Sequence, residues 1–437
     1  MKTKKFSYIF LIAVFLLTSC QNKKSITVQN TTSMNRPQEV LVLSRDTIEK
    51  YYPCSDTTLL PVIKIGDSYV PQQIDDTNLD GKWDELAFML NMKPNEKVSL
   101  SLSYITSSEY PKFEDKTRVR LAVKKKNITK ENDDHDGNYE EVTDYEAIKY
   151  DQPFNVIAQA ESVTCENDKI CFRNYFDCRN EKDLFGKIIP DLMVDKIGLP
   201  SMGSYHKLSY WGMDALHGGS SLGCGGLAML ENDSLFRLGC TEKYHYNKIC
   251  EGPVRAMFVL TYGGWHVNGQ DLAAKERISI TPGKYWFKST VTVSGFKGEK
   301  QLAVGMANHN LKNDPFTFDA SDSYKAHGTL DKQSLNNDTL GMAILMKKDK
   351  VTKIGRTPDT DYFAAGDRAI PSKQFSQAVN SSCYMAQSIK ADVPSNHYFF
   401  AVWGLEDSRW NSLKNFKDYI SQEAYKIENP LIIKFKK

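Results

Sequence analysis

"RISITPGKYWFKSTVTVSGF", Arg277 to Phe296, carries two β-branched, alternating runs on either side of Pro282-Gly283. Side chains that alternate in polarity suit a strand with one buried face, and Pro-Gly between them marks a turn. The same pattern recurs in both directions. Upstream lie "LPVIKIGDSYVPQQI", "KVSLSLSYI", "TRVRLAVKKK", "KICFRNYFDC" and "VRAMFVLTYGGW"; downstream lie "QLAVGM", "TLGMAILM" and "NHYFFAVWGL". "EVLVLSRDTI" near the start reads the same way. Helical periodicity is convincing only in "SLKNFKDYISQEAYKI", where Leu413, Phe416, Tyr419, Ile420 and Ala424 fall near one face. No repeat of fixed period supports a propeller. Many strands, long loops and one late helix predict an all-β chain built as a large β-sandwich.

The first residues set the expected location. "MKTKKFSYIFLIAVFLLTSC" places three lysines before an apolar run, with Leu17-Thr18-Ser19-Cys20 after it. That run is too short to span a bilayer but has the form of a signal peptide closed by a lipobox, so residues 1–19 are expected to be cleaved and Cys20 lipidated. A polar tether over 20–36, a β segment over 37–126, a polar loop over 127–146 and a main sandwich over 147–437 complete the expected organisation. "QNKKS" after Cys20 lacks an acidic run, which favours a lipid-anchored outer-membrane protein facing the periplasm. The 437 residues carry a net charge of +2, so nothing in the balance of charges suggests a nucleic-acid partner.

Eight cysteines besides Cys20 are compatible with disulfides after export. Cys165–Cys171 and Cys240–Cys250 have spacings that could staple a hairpin, with buried thiols as the alternative. No CxxC occurs to suggest a structural zinc site. "DTNLDGKWDE" sets Asp76, Asn78 and Asp80 before Gly81 in the manner of half a calcium loop, but Ala87 stands where an EF-hand needs its carboxylate. An acidic turn is the simpler reading, and Ca2+ the one metal worth testing; no other cofactor is required.

Chemistry-bearing residues gather in two stretches. "CFRNYFDCRNEKDLFGK" holds Arg173, Asp177, Arg179 and Lys187, a set able to clamp an anionic group or to pair internally. "SYHKLSYWGMDALHGGSSLGCGG", Ser204 to Gly226, joins Tyr205, His206, Trp211, Asp214 and His217 to a run of glycines. A histidine beside a tyrosine offers a proton acceptor and a donor, an indole offers a face for a sugar ring, and glycines let backbone approach a ligand. Tyr262, Trp265 and His266 in "TYGGWHV", with Asn308 and His309 in "GMANHN", repeat the theme. The fingerprints GxSxG, HExxH and the phosphate loop do not occur.

These two stretches, with "VPQQIDDTNLDGKWDELAF" upstream, resemble the domain-of-unknown-function 4861 family of exported bacterial lipoproteins. Its pattern runs through a strand with Arg, Tyr and Asp, a DIFGK-like turn, and YHxxSxWGMDxLxxGxSLGxGG. Leu184 replaces the usual isoleucine here, and Cys224 stands where a small residue is common. The resemblance covers the chain from about Val40 onward. It implies a galactose-mutarotase-like supersandwich in a polysaccharide-utilisation setting, beside unsaturated-uronyl hydrolases. It also implies an acidic oligosaccharide substrate dehydrated at its non-reducing-end uronate. On that expectation His206 is the base and Tyr205 the acid, with His309 able to take either role. Asp214 orients a histidine; Arg173, Arg179 and Lys187 meet the carboxylate; Asp177, His217, Trp211, Tyr262 and Trp265 complete the sugar site. A polysaccharide lyase and a non-catalytic glycan-binding lipoprotein use overlapping residues and stay open as alternatives.

Overall fold

In the computed structural model, residues 25–124, 137–148, 157–359 and 379–436 are described. Strands dominate, as the alternating pattern requires. The largest sheet has nine antiparallel strands, running in order Asp144–Ile148, Lys243–Cys250, Ala256–Val267, Gln270–Ile280, Trp286–Ser294, Ser395–Trp403, Leu340–Lys347, Tyr324–Asp331 and Phe316–Asp319. The two runs of the opening quotation are neighbours in it, with Ile278 opposite Ser289 and Ile280 opposite Phe287.

Two further sheets face it. A six-stranded sheet holds Lys182–Lys187, Ile170–Tyr175, Ser162–Asn167 and Thr117–Lys124, with Gly212–Asp214 and Tyr139–Val142 at its edges. A five-stranded sheet is built around Cys224–Glu231, Glu299–Ala307 and Ser382–Lys390. A parallel bridge between Lys182 and Gly223 joins these two into one layer. Apolar side chains from all three sheets, among them Phe172, Leu184, Leu227, Met385, Phe287 and Phe399, form one buried core. Each contributes roughly 1.5–3 kcal/mol when fully buried. The all-β sandwich expected from the sequence is the observed architecture.

The predicted late helix is Leu413–Glu428, capped by Ser412, whose side chain accepts from the Asn415 N–H. Phe416, Ile420 and Ala424 face inward at i, i+4 and i+8 and cover the outer side of the nine-stranded sheet. Leu413 lies on the exposed side instead.

Several boundaries differ from the sequence reading. The stretch expected to be a tether contains a strand, Ser25–Gln29, which pairs with both Lys97–Ile105 and the C-terminal Ile432–Lys436. These strands and Arg36–Ser44, Glu85–Met92 and Gln72–Asp75 enclose a second core around Ile26, Val28, Phe88 and Leu100. The N-terminal unit is thus closed by the chain's other end, while Thr117–Lys124 already belongs to the six-stranded sheet. "EVLVLSRDTI" is a strand only to Ser44; Ser44 then caps the short helix Arg45–Tyr51. In the polar stretch 127–146, Tyr139–Val142 and Asp144–Ile148 are strands, added at sheet edges where few apolar groups are needed. The signal peptide and Cys20 lie outside the described residues.

Candidate functional site

The antiparallel strands Ile170–Tyr175 and Lys182–Lys187 set Arg173 directly opposite Asp183. Gly212–Asp214 continues the sheet with Asp214 opposite Phe185. Arg173 therefore lies between two carboxylates, its Nη2 donating to Asp183 Oδ2 at 2.5 Å and to Asp214 Oδ2 at 2.6 Å. Its guanidinium carbon also lies 4.6 Å from the ring centres of both Tyr175 and Phe185. The Tyr175 hydroxyl donates to Asp183 Oδ2 at 2.9 Å. Burial, with Asp214 adding to it and Arg173 opposing it, pushes the Asp183 carboxyl up to about 6.

Asp214 links this buried group to the surface. Its Oδ2 is 3.2 Å from His206 Nδ1, and the His206 side chain is 59% exposed. Tyr205 packs beside it with ring centroids 4.4 Å apart and is itself largely covered; burial pushes its phenol up to about 12. The backbone enforces the arrangement, since the Asp214 N–H donates to the Tyr205 carbonyl and Ser209 and Gly212 exchange hydrogen bonds at the tip. Tyr210, at that tip, is 63% exposed. His206 Nδ1 faces the carboxylate, an arrangement that favours the tautomer with its proton on Nδ1 and Nε2 as the acceptor.

A second group borders the first. Arg179 stacks 3.7 Å from the Tyr175 ring centre and pairs with Asp177 and with Glu161 at 3.0 Å. Glu161 and the preceding Ala160 both have positive φ, at 58° and 50°, a conformation that costs a non-glycine residue roughly 1–2 kcal/mol. Glu181 is fully buried; burial pushes its carboxyl up to about 8 against the pull of Arg237 and Arg179. The Ser221 hydroxyl donates to its Oε1 at 3.4 Å. His217 and His309 lie with ring centroids 5.0 Å apart, and His309 Nε2 is 3.1 Å from the Gly218 carbonyl.

The glycine-rich segment does not cradle a ligand along its length. A Cβ at Gly223 would lie 1.8 Å from the Lys182 carbonyl, and one at Gly218 would lie 2.1 Å from Glu181 Oε1. At Gly212 a Cβ would lie 1.9 Å from the Gly186 carbonyl. The glycines let these segments close on strand Lys182–Lys187 and its preceding turn.

The structure brings Tyr205, His206 and Asp214 together and places His217 and His309 as a neighbouring pair. Other expected residues serve the interior. Arg173, paired with two aspartates, and Lys187, held by Glu166 at 2.9 Å and by the Asn167 carbonyl at 2.6 Å, are not carboxylate clamps. Asp177 is consumed by Arg179. Trp211 packs against Phe185; Trp265 donates its indole N–H to the Arg237 carbonyl; the Tyr262 hydroxyl donates to Asn180. All three are buried and offer no face to a sugar. Asp76, Asn78 and Asp80 accept backbone N–H groups of their own turn, Asp76 from Asp80 and Gly81. Among the described residues no group of three or more His, Cys, Asp or Glu side chains is placed to hold a metal ion. Glu181 and Tyr210 belong to the quoted stretches without standing out there, and Glu161 lies ten residues before Cys171; only the fold distinguishes the three.

Fold and site together define a β-sandwich protein with an imidazole–carboxylate pair and a phenol on the outer face of its six-stranded sheet. The chain belongs to the family of the domain of unknown function DUF4861, whose family model matches residues 28–433. An uncharacterized protein P7 of Formosa agariphila is 22% identical over 446 residues, covering 97% of each chain. Among solved structures, an alpha-mannosidase from Enterococcus faecalis V583 matches with a TM-score of 0.49 and 9% identity over 95% of this chain. A glycosyl hydrolase family 38 protein from Enterococcus faecalis matches with a TM-score of 0.49 and 8% identity. The chain spans about half the length of these two, 46% and 48% respectively.

Proposed function

We propose that the protein is a carbohydrate-active enzyme, a dehydratase that removes water from the non-reducing-end uronate of an acidic oligosaccharide. The observation that carries this reading is the contact of Asp214 Oδ2 with His206 Nδ1 at 3.2 Å beside the Tyr205 ring. It supplies a base with its acceptor nitrogen facing out and a neutral phenol next to it. The substrate class comes from the sequence resemblance.

In this mechanism His206 Nε2 takes the proton on C5, alpha to the carboxylate. The electron pair forms the C4–C5 double bond as the C4 hydroxyl leaves, and Tyr205 gives that hydroxyl a proton, so water departs. Asp214 holds the imidazole and balances its charge as it becomes imidazolium. With Arg173 and Lys187 consumed inside, the exposed Lys207 on the same loop is the cation assigned to the uronate carboxylate. Tyr210 replaces the buried tryptophans as the stacking surface. Export with a lipid at Cys20, and delivery of the unsaturated product to uronyl hydrolases, belong to the same reading.

The test is incubation of the protein, without its leader, with saturated uronate-terminated oligosaccharides, following ultraviolet absorbance of the conjugated product and its mass. Loss of one water at unchanged chain length is expected. Shortened chains would make the protein a lyase, and binding without turnover would make it a glycan-binding protein.

A further inference from the structure

We propose that Cys178 and Cys240 are a modification site, joined by a disulfide in the exported protein. Neither pairing suggested by spacing is available to compete. Cys165 lies opposite Phe172 and Cys171 opposite Glu166, so the two thiols project from opposite faces of one sheet. Cys165 accordingly sits in the central core and Cys171 in the cluster around Trp211. Cys250 ends strand Lys243–Cys250, opposite Met257, ten residues beyond Cys240, and the strand from Lys243 alone carries it about 23 Å away.

Cys178 and Cys240, 62 positions apart in the chain, meet instead. The Cys240 N–H donates to the Cys178 carbonyl at 2.8 Å, an approach that brings two Cα atoms into the range a disulfide spans. The two thiols are hydrogen-bonded to each other, which with burial raises the Cys178 thiol far above its ordinary range. Gly239 permits the approach, for a Cβ there would lie 2.6 Å from the Cys178 carbonyl. Cys240 itself has φ 45°, a left-handed conformation unusual for cysteine.

Exposure orders the chemistry. Cys178 is fully buried and Cys240 partly exposed, so Cys240 meets the oxidant. Its thiolate attacks one sulfur of an external disulfide and releases the other as a thiol. The Cys178 sulfur, losing its proton, then displaces the second external thiol. One external disulfide becomes two thiols, and two protein thiols become one disulfide. The link fixes the turn bearing Asp177, Arg179 and Glu181 to the chain leaving strand Ser234–Arg237, and so ties the six-stranded sheet to the five-stranded one.

The inference needs no substrate and is tested on the full mature chain. The protein is equilibrated with glutathione disulfide, denatured without reductant, alkylated and digested for peptide mass mapping. Two thiols should escape alkylation, with one cross-linked peptide pair joining Cys178 to Cys240, and dithiothreitol should remove it and lower the melting midpoint by several degrees. Cys240→Ser should abolish the cross-link and the dithiothreitol effect. The wild-type map decides even if that variant folds poorly. Full alkylation of both cysteines after oxidation, or either one bonded to another cysteine, would overturn the proposal.

Discussion

Asp214 meets His206 with the same carboxylate oxygen that Arg173 already holds: Oδ2 is 2.6 Å from Arg173 Nη2 and 3.2 Å from His206 Nδ1. One oxygen thus serves a fully buried ion pair and an exposed imidazole. The two roles should separate by mutation. His206→Ala removes an exposed side chain, so the melting midpoint should stay within about a degree while turnover falls roughly 100- to 10,000-fold, the usual range for a general base. Asp214→Asn should lower turnover too, but it also leaves Arg173 with Asp183 alone. Breaking part of a buried charge group costs about 3 kcal/mol, visible as a lower midpoint in denaturant.

Tyr210 and Trp211 are neighbours in the chain with opposite environments, one largely exposed and the other buried. Trp211→Ala should cost about 3–5 kcal/mol of stability by opening a cavity against Phe185. Tyr210→Ala should leave stability unchanged and weaken oligosaccharide binding roughly tenfold, about 1.4 kcal/mol. Titration calorimetry with thermal melts separates the two, and the reverse assignment would remove Tyr210 from the site.

The glycine segment yields a coupling prediction. Gly218→Ala drives a methyl into Glu181 Oε1, whereas Gly223→Ala drives one into the Lys182 backbone at a φ of 60°. Shortening Glu181 relieves the whole of the first clash but only the lesser part of the second, where Glu181 Cγ and Oε1 lie 2.8 and 2.9 Å from the added Cβ and the Lys182 carbonyl remains at 1.8 Å. In a double-mutant cycle, Glu181→Ala should therefore offset most of the cost of Gly218→Ala and only a small part of the cost of Gly223→Ala, where the backbone clash and the positive φ persist. Equal coupling for both would show that the loop shifts as a unit instead.

These contrasts mark where the sequence was legible. Period-two runs such as Arg277–Phe296 reveal strands because one face must be apolar, and the C-terminal helix shows through Phe416, Ile420 and Ala424 for the same reason. The density of histidine, tyrosine and aspartate at 205–217 marks the segment that carries His206 and Asp214. Pattern alone did not show which polar groups face inward. Arg173 and Lys187 look like ligand clamps until Asp183, Asp214 and Glu166 are placed around them, and those partners come from other strands or, as with Asp183, from the register of a hairpin. Glycines are ambiguous in the same way, because a close approach to a ligand and a close approach to one's own strand demand the same missing Cβ.

Glu181 gives the protein a pH signature. Its folded-state carboxyl is pushed up to about 8 from an ordinary 4.5. Between those values the unfolded chain has released a proton that the folded chain keeps, so stability falls as pH rises through that window. Asp183 acts in the same direction only to about 6. The buried His327 and His397, held down to about 4 and about 3 by burial, favour the fold above the ordinary histidine value of 6.5 and withdraw that support as pH falls below it. The interval from 6.5 to 8 is therefore where Glu181 dominates, with a slope approaching about 1.4 kcal/mol per pH unit. Glu181→Gln cannot ionise, and denaturant midpoints across this interval should be flatter than those of the wild type. If both proteins lose stability in parallel, the titrating group is elsewhere and Glu181 is already charged at neutral pH.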